Sequence, residues 1–243
     1  MRVLITGSSG HIGSTVAARF ARDADVIGID IEPGLHTTHV GTITDSRLVA
    51  SAAKEVDVII HTAGLHAPHV GQRSDEEFRQ TNVDGTKRLL DVAFKCEVSR
   101  FVMTSTTSVY GCTTRVNDRA LWVTEELDPN PEDVYDETKL EAEGLCQQAA
   151  DDGLDSVVLR MSRCFPEPEN LIAFYRLYRG IDRRDAAEGH FAAATAIIRG
   201  LGLFNLSSES PFKTEDCERL WNDPWSVIDE RVPLVGESFD RMM

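Results

Sequence analysis

The sequence of 243 residues is short of positive charge. It contains 25 Lys and Arg against 40 Asp and Glu, which gives a formal net charge of −15 at pH 7. A protein that binds nucleic acid needs a basic face for the phosphates, and an anionic membrane surface attracts basic proteins for the same reason. The charge balance argues against both partners, so we expect neither nucleic acid nor a membrane to be bound.

Long apolar runs and paired cysteines are missing as well. No apolar stretch approaches the roughly 20 residues that a membrane-spanning helix needs. The first residues, MRVLITG, lead directly into a predicted strand and do not resemble a secretory signal. The five cysteines are scattered and have no CxxC spacing. Such a set is typical of reduced thiols, so we predict a cytoplasmic protein without disulfides.

Short β-branched runs alternate with helical patterns through the first two thirds of the sequence. Strands are predicted at 2–6, 25–30, 56–64, 99–105 and 156–161, and helices at 11–22, 45–54, 75–95 and 134–151. This alternation indicates right-handed crossovers and a parallel sheet with helices on both faces. The strands are almost continuously apolar, as expected for strands buried on both sides. We therefore predict an α/β fold built on a doubly wound parallel sheet.

The segment TGSSGHIG, residues 6–13, follows the first predicted strand and opens the first helix. Its glycines have the spacing GxxGxxG, and a tight turn, close approach to a pyrophosphate and close helix–strand packing each favour a residue without Cβ. The helix N-terminus supplies free N–H groups for phosphates. A glycine turn without a ligand is the alternative, but the position favours a dinucleotide site. The residues assigned to it are Gly7, Gly10, His11, Ile12 and Gly13.

Asp30 ends the second predicted strand, 17 residues after Gly13. An acidic side chain at this position can accept hydrogen bonds from the hydroxyls of the adenosine ribose, and it would repel a 2′-phosphate. No arginine follows it closely. The position therefore favours NAD over NADP, and a simple turn residue is the alternative.

Tyr135 and Lys139 lie four residues apart in the helical segment DVYDETKLEAEG. Free tyrosine, with a pKa of about 10, is a poor base near neutral pH. A lysine one helical turn away lies on the same face and can lower that pKa electrostatically. The pair has the chemistry of a general acid/base. An ordinary amphipathic helix can contain the same spacing, so the pair alone does not establish an active site.

Further motifs follow in a fixed order: HTAG (61–64), TNVDGT (81–86), STTSVYG (105–111), YDETK (135–139), LRMSRCF (159–165) and RRDAAEGHFAA (183–193). Together with the glycine-rich segment, this order resembles the extended short-chain dehydrogenase/reductase family, the NAD-dependent epimerases and dehydratases. The resemblance covers roughly residues 2–200. It implies a Rossmann-type fold, NAD as the cofactor and an enzymatic activity.

The resemblance also implies a role for each matching residue. Tyr135 would be the general acid/base and Lys139 its electrostatic partner, which also holds the nicotinamide ribose. Thr106, counted back from the Tyr-Gly pair, would orient the substrate oxygen; a strand-end hydroxyl that bonds the backbone is the alternative. The residues implied to contact NAD, besides the glycine segment and Asp30, are Ile43, Thr62, Ala63, Gly64, Asn82, Tyr135, Lys139 and Ser162.

The segment GTITD, residues 41–45, resembles the part of the family that meets the adenine. The family usually carries Asp after the glycine, whereas this sequence carries Thr42. We expect looser adenine selectivity, with Ile43 still supplying an apolar contact. Asp45 is either a ligand or the N-cap of the next helix.

The substrate is the least constrained prediction. RMSRCFPEP, residues 160–168, resembles the corresponding segment of uronate dehydrogenases, which oxidise a free sugar acid at C1, although Arg163 replaces an expected small residue. Arg163, Arg176 and Arg179 either bind a carboxylate or phosphate or pair with the acidic surface. The predicted substrate contacts are His66, Ser105, Thr106, Arg163 and Arg176.

The histidines of HTAGLHAPH lack the H-x-x-x-H helix context and a nearby carboxylate cluster, so we predict no metal site. From Arg163 onward the alternation weakens, with a loop at 165–171, a helix at 183–200, a strand at 201–208 and a helix at 211–221. We predict one domain over 1–243. Residues 1–162 form its NAD-binding core, and 163–243 complete the core and add a small substrate-binding cap.

These observations predict an NAD-dependent oxidoreductase that acts on a small hydroxylated sugar or sugar acid. Two alternatives stay open: an epimerase or dehydratase, acting for example on nucleotide sugars, and a protein that senses NAD(H) without turnover. The resemblance also implies a homodimer formed by the helices at 75–95 and 134–151. Their apolar residues include Val83, Leu89, Leu90, Leu140 and Leu145, although most of this stripe must face the sheet.

Overall fold

The computed structural model describes residues 1–115 and 120–233. Within these ranges, seven strands form one parallel sheet in the order β3-β2-β1-β4-β5-β6-β7. The strands are β1 (Arg2–Thr6), β2 (Asp25–Asp30), β3 (His39–Val40), β4 (Val58–His61), β5 (Arg100–Thr106), β6 (Asp155–Met161) and β7 (Leu201–Leu206). The chain runs outward from β1 to β3 and then crosses back to β4. The carboxyl ends of β1 and β4 therefore flank the crevice where parallel α/β sheets bind their ligands.

Helices cover both faces of the sheet, as predicted. They are α1 (His11–Phe20), α2 (Ser46–Ala52), α3 (Asp75–Phe78), α4 (Gly85–Lys95), α5 (Val134–Asp151), α6 (Glu169–Arg176), α7 (Arg183–Thr195), α8 (Cys217–Asn222) and α9 (Pro224–Arg231). Three 3-10 segments lie at Ala67–His69, Thr107–Arg115 and Thr214–Asp216.

Two hydrophobic clusters lie on opposite faces of the sheet because successive strand residues point to opposite sides. Leu4 of β1 belongs to the cluster beneath α2, α4 and α5, which also contains Leu89 and Ala142. Val3 and Ile5 belong to the cluster beneath α1 and α7. The predicted doubly wound parallel sheet is thereby confirmed.

The predicted helix over 75–95 is not one continuous α-helix. A π-helical segment, Arg79–Asp84, separates α3 from α4. The segment lies at the predicted motif TNVDGT and places the side chain of Asn82 in the protein interior. A π-helical turn inserts one residue into the helical ladder and is common at functional sites.

The region after Arg163 divides into two parts. Helix α7 packs on α1, and β7 extends the sheet beside β6. Phe212, Val227 and Ile228 form a small separate cluster with Leu177 and Leu220. The first three residues of α6, 169–171, lie in the segment predicted as a loop, and no element is predicted for the rest of this helix. A role of this region as a substrate cap stays a prediction.

The helices implied to form a dimer turn much of their apolar surface inward. Leu89 and Leu90 of α4 are buried in the core, and Leu145 of α5 packs against it. The exposed positions of α5 include Glu137 and Glu141, which pair with Arg79. The homodimer stays a prediction.

Candidate active site

The glycine-rich turn connects the end of β1 to the start of α1 at the crevice. Gly7 has a φ of +75°, and a Cβ added there would lie 2.8 Å from the backbone nitrogen of Ala63. A Cβ on Gly13 would lie 2.0 Å from the carbonyl oxygen of Gly7. Both positions therefore require glycine for the turn itself to form.

The N-terminus of α1 is open to an anion. Gly10 is its N-cap residue and no side chain caps the helix. The first N–H groups of a helix have no partner within it, so those of His11, Ile12 and Gly13 are available for hydrogen bonding. This uncapped terminus behind a glycine cradle fits the pyrophosphate of a dinucleotide.

Asp30 lies beside the turn at the carboxyl end of β2. Its two carboxylate oxygens accept hydrogen bonds from the backbone N–H groups of Ser9, at 2.8 Å, and Glu32, at 3.0 Å. These bonds orient the carboxylate, and a carboxylate has about four lone-pair sites in all. The Asp30 carboxylate can therefore still accept hydrogen bonds from the ribose hydroxyls that the sequence predicts it to bind.

The adenine segment differs from expectation. Ile43 is only 4% exposed and its side chain presses on Gly85, so this side chain is a core residue with little surface for a ligand. Asp45 accepts hydrogen bonds from the backbone N–H groups of Arg47 and Leu48 and is the N-cap of α2. Of the two alternatives for Asp45, the structure favours the cap.

The loop after β4 is fixed by buried hydrogen bonds. Thr62 donates from its hydroxyl to the carbonyl oxygen of Thr6 at 2.7 Å, and the N–H of Ala63 donates to the Thr6 hydroxyl at 3.3 Å. Asn82 receives a hydrogen bond from the N–H of Leu65 at 2.8 Å. Its amide nitrogen also lies 3.0 Å from the hydroxyl of Thr138 on α5. Asn82 therefore joins this loop to the helix of the predicted catalytic pair.

His61 is a core residue and not a ligand. Its ring nitrogens are hydrogen bonded to the hydroxyls of Thr6, at 2.8 Å, and Thr86, at 2.9 Å. Burial, assisted by the charge of Lys139, lowers the pKa of His61 to about 3, so the ring is neutral. Within the described ranges, no group of three or more His, Cys, Asp or Glu side chains is arranged to hold a metal ion. Nor does any described helix combine the length and apolarity needed to cross a membrane.

The structure brings Tyr135 and Thr106 together. Tyr135 lies in the first turn of α5 and Thr106 ends β5, with the Thr106 hydroxyl near enough to the phenol to affect its pKa. Burial raises the pKa of Tyr135 to about 12; the Thr106 hydroxyl opposes this shift, and the charges of Asp136 and Asp133 add to it. Lys139, which the sequence predicts to lower this pKa, is not among the groups that shift it.

Lys139 lies one turn further along α5 and is 7% exposed. Burial lowers its pKa to about 8, while the charges of Glu143 and Cys146 act in the opposite direction. Its positive charge lowers the pKa values of both His61 and His66, each of which is shifted mainly by burial. Lys139 is therefore close to both the core histidine and the loop predicted to meet the substrate.

Ser105 is held by a buried polar cluster. Its hydroxyl donates to Glu143 of α5 at 2.5 Å. Glu143 also accepts hydrogen bonds from Arg160, the shortest at 2.7 Å, and Arg160 donates to the Tyr110 hydroxyl at 2.7 Å. The Ser105 hydroxyl is therefore engaged within the protein, and its contact with the substrate stays a prediction.

The predicted arginine site is already paired internally. Arg163 donates to both oxygens of Glu167, at 3.1 and 2.5 Å, and Arg176 donates to Asp182 at 2.5 Å. Arg179 lies over the rings of Tyr175 and Tyr178 and has no ion pair with a described carboxylate. Arg163 and Arg176 thus follow the alternative of pairing with acidic neighbours and do not form a ready anion site.

The remaining predicted residues, His66 and Ser162, follow the carboxyl ends of β4 and β6. His66 is stacked on Phe165 with ring centroids 5.8 Å apart, and its N–H donates to His69. Ser162 is buried after β6, and its N–H donates to the Leu206 carbonyl oxygen at 2.9 Å.

Two polar residues close to Tyr135 were not predicted. Ser108 lies 2.8 Å from Thr106, measured between the two hydroxyl oxygens, and it donates to Asp136 at 2.5 Å. Asp136 follows Tyr135 directly in the sequence, which is the signal that could have drawn attention to it.

Residues 3–170 match the model of the NAD dependent epimerase/dehydratase family. The match covers more than half of the 243 residues, and the chain therefore belongs to this family. The predicted family is confirmed, and NAD is the cofactor that the sequence and the family have in common.

Individual relatives differ in their named activities. The chain is 38% identical over 155 residues to a 3-beta-hydroxysteroid dehydrogenase of Mycolicibacterium neoaurum, covering 58% of this chain and 41% of that protein. It is 31% identical over 174 residues to a UDP-glucose 4-epimerase of Halalkalibacterium halodurans, covering 66% and 50%. A solved structure of a mutated uronate dehydrogenase is 25% identical with a TM-score of 0.73, covering 86% and 74%. The chain thus spans half or less of the length of these two curated relatives.

Proposed function

We propose that this chain catalyses NAD-dependent oxidation or reduction of a small hydroxylated substrate of the sugar or sugar-acid class. The observation that supports this most is the proximity of Tyr135 and Thr106, with Lys139 buried one helical turn along α5. Carbinol oxidation requires a group that exchanges the hydroxyl proton and a second group that holds the oxygen. NAD, when bound, supplies the hydride acceptor or donor.

The residues of this chain handle the proton. With a pKa of about 12, the Tyr135 phenol is protonated at neutral pH and can donate to a carbonyl oxygen during reduction. In the direction of oxidation it must release this proton as it receives the proton of the substrate. Lys139, with a pKa of about 8, is mostly protonated at pH 7 and places a positive charge on the same helix face.

The substrate class is supported by the relatives. A uronate dehydrogenase is similar over 86% of this chain, and a UDP-glucose 4-epimerase over 66%. Because Arg163 and Arg176 are paired with Glu167 and Asp182, neither is ready to bind the carboxylate of a sugar acid. We assign that role, for an acidic substrate, to Arg179.

The test is formation of NADH, followed at 340 nm, with free uronic acids, aldoses and polyols as substrates. The control is Tyr135→Phe, which keeps the ring and removes the hydroxyl. We expect one substrate class to give NADH and the variant to lose about 100-fold to 10,000-fold in kcat while it still binds NAD. Equal rates for Tyr135→Phe and the wild-type chain would contradict the assignment of Tyr135.

Epimerisation or dehydration of a nucleotide sugar is the second proposal, favoured by the similarity to a UDP-glucose 4-epimerase. Such a reaction reduces and reoxidises the same cofactor, so no net NADH forms. Incubation with UDP-glucose or UDP-glucuronic acid and chromatography of the products separates the two proposals. NAD binding without turnover of any substrate would instead support the alternative of a protein that senses NAD(H).

A further inference from the structure

The motif RRDAAEGHFAA, residues 183–193, begins with an arginine to which the proposed function gives no role. The motif opens α7, and Asp182 is the N-cap residue of this helix. Asp182 accepts hydrogen bonds from the side chains of Arg176, at 2.5 Å, and Arg184, at 2.9 Å. Arg183 is exposed, and its side chain makes no hydrogen bond or ion pair with any residue of the described ranges. Its guanidinium group is therefore available to a ligand.

Helices α1 and α7 begin at the same edge of the sheet. The first residue of α1, His11, comes directly after the glycine turn at the carboxyl end of β1. The segment before α7 is tied to the end of β6, because the N–H of Ile181 donates to the carbonyl oxygen of Arg163 at 3.0 Å. The strands β1 and β6 run parallel within one sheet, so their carboxyl ends lie at one edge. Both helices therefore run in the same direction, away from that edge.

The contacts between the two helices fix their relative level. The guanidinium carbon of Arg19 lies 3.6 Å from the ring centroid of Phe191, and Arg19 also donates to Glu188 at 2.6 Å. Arg19 is eight residues after His11, the first residue of α1. Phe191 is likewise eight residues after Arg183, the first residue of α7. Because every α-helix rises about 1.5 Å per residue, these equal separations place His11 and Arg183 side by side at the sheet edge.

The charges around His11 agree with this placement. Burial lowers the pKa of His11, the positive charge of Arg183 lowers it further, and the negative charge of Asp182 raises it. Burial raises the pKa of Cys164, which follows β6, to about 11, and the charge of Arg183 is among those that oppose this shift. Arg183 is therefore close both to the start of α1 and to the residues that follow β6.

We propose that Arg183 binds the pyrophosphate of NAD and thereby completes, from α7, the anion site formed by the glycine turn and the start of α1. The turn TGSSGHIG contains no Lys or Arg, so by itself it offers N–H groups and the partial charge of a helix terminus. Arginine adds a full positive charge and a planar fork that binds phosphate oxygens bidentately. The proposal rests on the cofactor of the proposed function and applies equally to a dehydrogenase, an epimerase and an NAD(H) sensor.

The experiment measures the Kd of the full chain for NAD and for ADP-ribose by calorimetric titration at low and at high salt. ADP-ribose keeps the pyrophosphate and lacks the nicotinamide. We expect Arg183→Gln to raise the Kd for both ligands about tenfold or more at low salt, because a charge-assisted hydrogen bond to phosphate is lost. The difference from wild type should shrink at high salt, since ions screen an exposed charge. Arg183→Lys keeps the charge without the planar fork, so its Kd should lie between the two.

Arg22→Gln is the matched control. It removes an exposed arginine just beyond the opposite end of α1, so the net charge changes equally but the site does not. Its Kd for both ligands should stay within about twofold of wild type. An NMR titration of His11 checks the placement without any ligand: Arg183→Gln should raise the pKa of His11, and Arg22→Gln should leave it unchanged. The melting temperatures of both variants should equal that of wild type.

An unchanged Kd for NAD in Arg183→Gln would overturn the proposal, and the proposed function would stand if that variant still forms NADH. A weaker affinity for NAD but not for ADP-ribose would overturn it in favour of a contact with the nicotinamide half of the cofactor. An equal loss of affinity in Arg22→Gln, or a fall in the melting temperature of Arg183→Gln that accounts for its loss, would overturn it in favour of net charge or folding. If the wild-type chain binds neither ligand, the NAD site of the proposed function fails and the role of Arg183 fails with it.

Discussion

The two sides of the candidate site are held in place by different physical means. The glycine turn between β1 and α1 is defined by its backbone: Gly7 has a φ of +75°, and a Cβ on Gly13 would lie 2.0 Å from the Gly7 carbonyl oxygen. The start of α5 is defined by side chains, with Thr106, Ser108 and Asp136 joined by short hydrogen bonds.

This difference sets how each side responds to substitution. A clash with the backbone at 2.0 Å cannot be relieved without moving the turn. A substitution on the glycine side should therefore reduce the unfolding free energy and NAD binding together. A hydrogen bond contributes about 1 kcal/mol net, and a charged group left buried without its partner costs several times more. On the α5 side, the loss of unfolding free energy should therefore be small when a neutral hydrogen bond is removed and larger when a buried charge loses its partner.

Gly13→Ala is expected to have the largest effect. The added methyl group collides with the Gly7 carbonyl oxygen, so we predict a loss of at least about 3 kcal/mol of unfolding free energy together with loss of NAD binding. Urea denaturation and calorimetric titration with NAD would measure both. Gly144→Ala is the control, since a Cβ there meets nothing within 4 Å and α5 should gain stability. Unchanged NAD affinity in Gly13→Ala would show that the turn can rearrange.

Glu143→Gln should cost about 3 kcal/mol, because it leaves the buried guanidinium of Arg160 without its charge partner. The urea midpoint of the variant measures this loss. Glu141→Gln is the matched control on the same helix: Glu141 pairs with Arg79 at the exposed surface, so its midpoint should not move. Equal urea midpoints for the two variants would mean that the buried pair of Glu143 and Arg160 stabilises the protein no more than the exposed pair of Glu141 and Arg79.

The side of the site that depends on backbone was largely predictable from sequence. Glycine spacing, strand alternation and the acidic residue at the end of β2 each leave a local signal, and the structure places Gly7, Gly13 and Asp30 around one crevice. The order of motifs also predicted that Tyr135 and Thr106 would meet. Strand β3 escaped prediction because two residues are too few for a periodic pattern.

The hydrogen-bonded side was less predictable because its partners are distant in sequence. Arg176 and Asp182 pair across the end of α6, in a stretch for which no element is predicted. Ser108 and Asp136 are 28 residues apart. Ser105 bonds Glu143, 38 residues away, a contact that likewise leaves no local signal in the sequence.

Lys139→Met is expected to have the smallest effect on stability and the opposite sign. Burial lowers the pKa of Lys139 to about 8 from an ordinary value near 10.5, so the folded state releases a proton before the unfolded state does. The unfolded state therefore binds more protons between these values, and wild-type stability should rise by about 2 kcal/mol from pH 7 to 9.5 through this group. At pH 7 the variant should be the more stable protein, and at pH 9.5 most of its advantage should be gone.

Denaturation of both proteins at the two pH values measures this change, with exposed Lys87→Met as the control that should show none. If the difference in unfolding free energy between Lys139→Met and wild type is the same at both pH values, burial does not lower the pKa of Lys139 in the folded state. The expected result identifies this lysine as a residue kept at a cost to folding. Lys139 is a buried charge one helical turn from Tyr135 that destabilises the folded protein. A site selected for its chemistry would retain such a residue, whereas the glycine turn serves both folding and cofactor binding.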